Sequence, residues 1–444
     1  MPPERRAAIV ARLDRVAGWA VLGIAPGMLH AYVLAEALIG LIGVGFLLRC
    51  ALLGDWCWLR QGWVPFALAW WGWAIFCSLP GIGLGGSHAL VQALVVGRYL
   101  VLIAALERQV LADAAVRRWL WGVLTACAVW IGVSALIQFA AGRNLGGYRR
   151  WGDGELTGPF QKPRAGAPLA RLLPVVVVPP VGRLLAQGFE WWRPAAAAGL
   201  AGLAVAVVVL IGQRMPVLLS VFSLLVAAVF LPRLRVPVAA ALVLAAALVA
   251  ATAAVAPPTF YRLVTKFSSQ MASLPESNYG QIASRAVAIA EDHPWTGRGF
   301  EGFRNGCADP RYWRGWRHAS DPTDDGGGML GCNIHPHNAY LQAVTDAGVP
   351  GLVLFTAMVL AWAVALGRGL WLRPAPLRVG LFAAFVIGFW PLASSSSAFA
   401  IELGGLSFLL LGFGLADARA ALVPGPADRA IGIAPRRGQP SGAR

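Results

Sequence analysis

Val236 to Ala256 reads VPVAAALVLAAALVAATAAVA, a run without a single charge. About 20 apolar residues in an α-helix rise about 30 Å, the thickness of the hydrocarbon core of a bilayer. A stretch of that length and composition is therefore read as a membrane-spanning helix. Residues 201–212 have the same Ala/Val/Leu character, and comparable apolar runs recur along almost the whole chain. With 444 residues, only 13% of them charged, and a mean hydropathy of +0.64, the protein could not stay dispersed as a soluble domain. The fold class expected is an all-α polytopic membrane protein with about twelve transmembrane helices and one large loop that contains short helices.

Twelve spans are expected at roughly 16–30, 32–50, 62–80, 88–106, 117–139, 167–185, 194–212, 214–231, 236–256, 339–366, 376–392 and 398–416. Residues 1–256 thus carry nine helices, 257–338 form the large loop, and 339–416 carry three more. The segment 417–444, rich in Pro, Gly, Ala and Arg towards its end, is expected to be a disordered tail. Arg5, Arg6, Arg12 and Arg15 precede the first span, after which hydrophobicity does not stop, so no cleaved signal peptide is expected.

The net charge of +16 and isoelectric point near 10.7 would point to nucleic acid in a soluble protein. In a membrane protein the Arg/Lys bias of cytoplasmic loops accounts for such a balance, and no nucleic-acid partner is expected. If the N-terminus is cytoplasmic, the even-numbered connections lie inside. They carry Arg49 and Arg60, Arg108, Arg117 and Arg118, Arg183 and Arg193, Arg233 and Arg235, and Arg368, Arg373 and Arg378, while the outer connections 81–87 and 393–397 carry none. With the arginines at the two ends, the inside holds more than half of the 37 basic residues. A bacterial inner-membrane protein with both termini cytoplasmic follows.

Some basic residues break that rule. Residues 140–166 hold Arg143, Arg149, Arg150, Lys162 and Arg164. The large loop, which this topology puts on the periplasmic side, holds Arg285 among others, and Arg214 stands at the tight turn between two apolar spans. A cation at the membrane edge on the wrong side is a functional candidate; the competing reading of Arg214 is snorkelling to the interface. Within the loop, Tyr279 to Asp292 (YGQIASRAVAIAED) has the spacing of a short amphipathic helix with Arg285 in its middle, ended by His293-Pro294. Cys307 and Cys332 are the loop's cysteines; a disulfide and two free thiols both remain open for them.

The loop ends in HPHNAYLQAVTDAGVPGLVLF, from His335 into the next span. His335 and His337 permit three readings. They could bind a metal with Asp321, Asp324 or Asp325, although no complete ligand set is placed. Asn338 or a histidine could cap the helix. His337 could be a general base, the role imidazole fills best near neutral pH. An arginine forks onto phosphate oxygens. A lipid-linked diphosphate sugar at the outer interface would therefore suit Arg214 and Arg285, with His337 activating an acceptor hydroxyl.

Arg285, His293-Pro294, Gly297-x-Gly299-Phe300 and Phe303, followed by His335-Pro336-His337-Asn338-x-Tyr340-Leu341-Gln342 and Gly348-x-x-Gly351-Leu352, resemble the O-antigen ligase/polymerase superfamily. TGPFQKPRAGAPLA, Thr157 to Ala170, is similar to that family's earlier outer-loop motif, with Lys162-Pro163-Arg164-Ala165 where many relatives have an asparagine-containing version. Arg214 matches its outer-face arginine, here following Gln213. The resemblance implies an inverting, metal-independent glycosyltransferase without cofactors. His337 would be its base and Arg214 and Arg285 would bind the diphosphate, with Lys162, Arg164, Asn338 and His335 as secondary substrate-binding candidates. Within the superfamily, the lipopolysaccharide O-antigen ligase fits best: it would move O-polysaccharide from undecaprenyl diphosphate to lipid A-core, among membrane lipids. O-antigen polymerase and protein O-oligosaccharyltransferase are the alternatives within the superfamily. A lipid-linked sugar flippase is the alternative from another class; it should show charges inside several helices and repeat symmetry.

Overall fold

The computed structural model describes residues 1–152, 154–187, 190, 192–312, 335–392 and 397–422. Among them the regular structure is helical, with only two isolated β-bridges. Twelve helices match the expected spans: α1 (Pro3–His30), α2 (Tyr32–Leu53), α3 (Val64–Cys77), α4 (Gly86–Ala105), α5 (Ala114–Ala141), α6 (Gly166–Ala186), α7 (Trp192–Ile211), α8 (Arg214–Phe230), α9 (Arg235–Val255), α14 (Ala339–Gly367), α15 (Pro376–Gly388) and α16 (Leu406–Leu422). Between α9 and α14 lie the short helices α10 (Pro257–Phe260), α11 (Lys266–Ala272), α12 (Asn278–Asp292) and α13 (Gly302–Gly306).

Among the described residues, eight helical segments are long and apolar enough to cross a membrane, and α3, α8 and α15 are shorter apolar helices. The protein is an all-α polytopic membrane protein. Large apolar side chains point away from the bundle, among them Val44, Val236, Val243 and Leu360. In water such a surface would drive association; in lipid it costs nothing. The interior packs around aromatic rings. Trp362, fully buried, lies against Trp63, Phe389 and Phe408.

Two helices organise the end of the bundle that carries the large loop. Helix α6 packs against α5, α7, α8 and α15. It holds Pro174, Pro179 and Pro180, which a membrane helix tolerates because neighbouring elements satisfy the freed backbone groups. Helix α14 packs on α3 and α12 and is broken at Ala347 and Gly348, where φ is −141° and +68°. That break is where the loop docks.

Candidate active site

The motif glycines are explained by close backbone approaches at the break in α14. Gly297 has φ +61°, and a Cβ there would lie 2.6 Å from the Thr345 carbonyl oxygen and the Ala347 nitrogen. A Cβ on Gly348 would sit 2.4 Å from the Trp295 carbonyl carbon. Only glycine permits both the left-handed backbone and this proximity. Two backbone bonds close the joint: Arg298 N–H to Thr345 O at 2.9 Å, and Val349 N–H to Pro294 O at 2.7 Å. The buried Asp346 carboxylate accepts from Gly302 N–H at 2.8 Å, and Trp73 Nε1–H donates to Ala347 O at 2.9 Å. Leu84 N–H to Arg298 O (2.9 Å) and Phe300 N–H to Ser78 Oγ (2.9 Å) tie the same strap to the α3–α4 connection. The segment 294–302 is thus stitched to α14 and to the α3–α4 hairpin.

The strap fixes α12, whose expected amphipathic character is observed. Ser277 caps it by accepting from Gly280 N–H at 3.2 Å. Its inner face, with Ile282, Ala286 and Ile289, packs on Phe303, Cys307 and Tyr312. Arg285 lies on that face with only 1% of its surface exposed, and Nη1 donates to Cys307 Sγ at 3.8 Å. Burial holds its guanidinium below the usual arginine range. Cys307 is disulfide-bonded, and Cys50, Cys57, Cys77 and Cys127 are free. Cys332, for which a disulfide with Cys307 and a free thiol were both open, lies outside the described residues.

The second part of the site is the lip of α14. Asn338 is its N-cap: Oδ1 accepts from Tyr340 N–H (2.9 Å) and Leu341 N–H (3.1 Å), while Nδ2 donates to Pro391 O at 2.6 Å. The capping reading of Asn338 is therefore the one observed. His337 precedes it with φ +54°; Glu301 is the only other non-glycine with positive φ among the described residues. Left-handed backbone in a non-glycine residue is uncommon and gathers at functional sites. The His337 ring meets Tyr279 edge-on at 5.7 Å between centroids and His335 at 4.6 Å. Both nitrogens of His335 are buried without a hydrogen-bond partner. Burial first, and the neighbouring His337 second, push its pKa down to about 3. His335 is therefore neutral at physiological pH and is not a phosphate-binding cation.

Arg214 opens α8 and donates through Nη1 to Gln270 Oε1 of α11. The preceding Gln213 donates to Pro163 O at 2.7 Å, which binds the turn to the earlier outer-loop motif. That motif is built around Asn144, whose side chain donates to Gly158 O (2.7 Å) and Phe160 O (3.0 Å) and accepts from Gly146 and Tyr148 N–H. It is also joined to the large loop by the Arg262–Glu155 ion pair, in which Glu155 is buried. Of the secondary candidates, Arg164 is ion-paired with Glu402 at 3.0 Å and also donates to Tyr32 OH, whereas Lys162 is exposed.

Segment 266–292 therefore links the three principal residues. Its helix α11 holds Arg214; its helix α12 carries both Arg285 and Tyr279, which touches His337. Tyr279 and Arg285 are separated by about 9 Å of helical rise. The result places Arg214, Arg285 and the His337 imidazole on one framework at the loop end of the bundle, with Arg285 buried on the inner face of α12. Such a set can hold an anion and remove a proton from a neutral hydroxyl. Asp321, Asp324 and Asp325, considered as metal ligands with the histidines, lie outside the described residues. Among the described residues, no group of three or more His, Cys, Asp or Glu side chains converges as a metal site would require.

Sequence reasoning missed Asp346, Trp73 and Tyr279 as site-shaping residues. Asp346 carried a legible signal, a carboxylate at the edge of an apolar run. The contacts of Trp73 and Tyr279 span more than fifty residues and left no local trace.

Residues 199–356 match the family model described as O-antigen ligase. The match spans α7 through the first half of α14, including Arg214, Arg285, His335, His337 and both sides of the α14 break. Over this third of the chain the protein is similar to the O-antigen ligase family, which supports the resemblance that the motifs carry. No curated protein matches the chain.

Proposed function

We propose that the protein is an O-antigen ligase, transferring O-polysaccharide from undecaprenyl diphosphate to lipid A-core at the periplasmic face of the bacterial inner membrane. The observation that carries this reading is the single segment 266–292, which ties two arginines to His337 at one end of a membrane bundle. The family match over the same segment supports it.

In this reaction the donor diphosphate lies against Arg214 and Arg285, whose planar forks suit phosphate oxygens. A sugar hydroxyl of the acceptor gives its proton to the His337 imidazole, and the resulting alkoxide-like oxygen attacks the anomeric carbon. The bond from that carbon to the phosphate oxygen breaks, and its electron pair leaves with undecaprenyl diphosphate. The guanidinium groups neutralise that developing charge, the term that dominates many such transition states. Attack opposite the leaving group inverts the anomeric centre. The strained His337 backbone, held between the Asn338 cap and the Tyr279 and His335 rings, fixes the base in place. Since the cations belong to the chain, transfer is expected to persist in a chelator.

The test is a reconstituted assay: purified protein with undecaprenyl-diphosphate O-antigen and rough lipopolysaccharide, with products resolved on a gel. A ladder on lipid A-core, unchanged by EDTA, is the expected result. Longer chains still on the undecaprenyl carrier would replace this reading with a polymerase. No glycosyl product from folded protein would overturn the transferase reading altogether.

A further inference from the structure

Arg171 lies about one and a half turns into α6, among apolar residues, and is 6% exposed. Its Nε donates to Ser407 Oγ at 3.1 Å and its Nη1 to Ala167 O at 3.2 Å. Both acceptors are neutral. Among the described residues it joins no ion pair, and its hydrogen bonds go to these two neutral oxygens. Ser407 Oγ is itself committed, since it also donates to Leu403 O at 3.0 Å.

A cation buried inside a membrane bundle without a counter-charge is costly, and is retained where it meets an anion in function. Arg171 also borders a small cavity, shared with Ser397, Ser407, Phe389 and Ala339. Ala339 is the first residue of α14, two positions after His337. The opposite wall is held in place from α14: Gln342 Oε1 accepts from Ala398 N–H (3.1 Å), and Tyr340 OH donates to Phe389 O (2.9 Å). The cavity has room for about one water molecule, which is also room for one phosphate oxygen.

We propose that Arg171 is a further phosphate-binding residue, meeting one anionic oxygen of the lipid diphosphate from within the bundle, beneath the lip that carries His337. This rests on the transferase reading above. The group recognised is a phosphate-type oxyanion delivered by a lipid. Arg171 would supply the counter-charge at the depth where the diphosphate joins its polyprenyl chain, while the loop arginines act from above.

The test uses the full-length protein in detergent and measures affinity for sugar-free undecaprenyl diphosphate by native mass spectrometry, beside transfer kinetics. Arg171→Gln keeps an amide that can still reach Ser407 but removes the charge. Losing a charged hydrogen bond should weaken lipid-diphosphate binding about tenfold or more, and raise the donor KM with a smaller change in kcat. Arg171→Lys, which keeps a charge without the fork, should fall between Arg171→Gln and wild type. Wild-type affinity and KM in Arg171→Gln would overturn the proposal, reducing Arg171 to a latch between α6 and α16. Competition by phosphatidylglycerol at equal concentration would also overturn it, since the site would then serve ordinary anionic headgroups. If wild type binds the lipid and Arg171→Gln does not, yet wild type transfers no sugar, the transferase reading falls and the phosphate site stands.

Discussion

Arg98 on α4 and Arg171 on α6 are both arginines inside apolar helices, and the fold treats them in opposite ways. Arg98 forks onto Glu36 of α2 through Nε and Nη2, both at 2.8 Å, and also donates to Tyr99 OH. Arg171, more deeply buried, receives only a serine hydroxyl and a backbone carbonyl. The difference repeats elsewhere. At the end of the bundle away from the large loop, Arg49 pairs with Asp14 and Arg117 with Asp417. At the loop end, Arg262 and Arg164 have carboxylates, Glu155 and Glu402, and serve to join elements. Among the described residues, the partner of Arg214 is the neutral amide of Gln270. A carboxylate partner neutralises a cation and stiffens a joint. A neutral partner positions the side chain and leaves its charge for something else. The partner's charge, more than the arginine's location, sorts structural cations from candidate ligand-binding ones.

That contrast can be broken experimentally. The largest effect should come from the one group that is not a cation holder. Transfer in His337→Ala should fall by at least about a hundredfold, the usual contribution of a general base, with the protein level unchanged. Next, Arg214→Lys and Arg285→Lys should each lose about tenfold or more in kcat/KM, because lysine cannot fork onto phosphate. Full activity in either would reduce that arginine to generic positive charge. Gly297→Ala should act on stability: the added Cβ meets backbone at 2.6 Å, so limited proteolysis of the loop should accelerate even if the bundle stays folded. Asn338→Ala should cost about 1 kcal/mol of stability through the lost cap, read as a lower melting temperature. Smallest of all, Arg164→Ala should leave transfer within about twofold of wild type, because a half-exposed ion pair contributes little. A large loss there would mean that Glu402 holds Arg164 for substrate and that the sorting by partner fails.

His335 adds a pH signature. Its pKa in the folded protein, about 3, lies below the ordinary histidine value. As pH falls below about 6.5, the unfolded chain takes up a proton that the folded loop refuses, so stability should decline with acidification. His335→Phe should flatten that decline, as measured by melting temperature against pH.

The fold was largely legible, because hydropathy alone places helices in lipid. All twelve expected spans coincide with helices, and YGQIASRAVAIAED forms α12 as its periodicity indicated. The shortness of α3, α8 and α15 and the break in α14 were not legible, because strap residues 294–302 and Trp73 impose the break across the chain. In the site, His337, Arg214 and Arg285 stood out as unusual residues at unusual places. Arg171, a lone charge in LARLLPVVVV, was passed over in the sequence, and it is the structure that shows no ion pair to it among the described residues. Conversely, Arg164 looked like a ligand in sequence and is ion-paired in the fold.

The central claim is a division of labour, with arginines holding the donor and His337 activating the acceptor. It is tested most directly by measuring donor affinity and transfer rate in the same preparations of wild type, Arg214→Lys and His337→Ala. The account predicts that His337→Ala binds the lipid-diphosphate donor as tightly as wild type yet transfers almost nothing, while Arg214→Lys loses donor affinity. Equal loss of donor binding in His337→Ala, or undiminished transfer by it, would contradict the account.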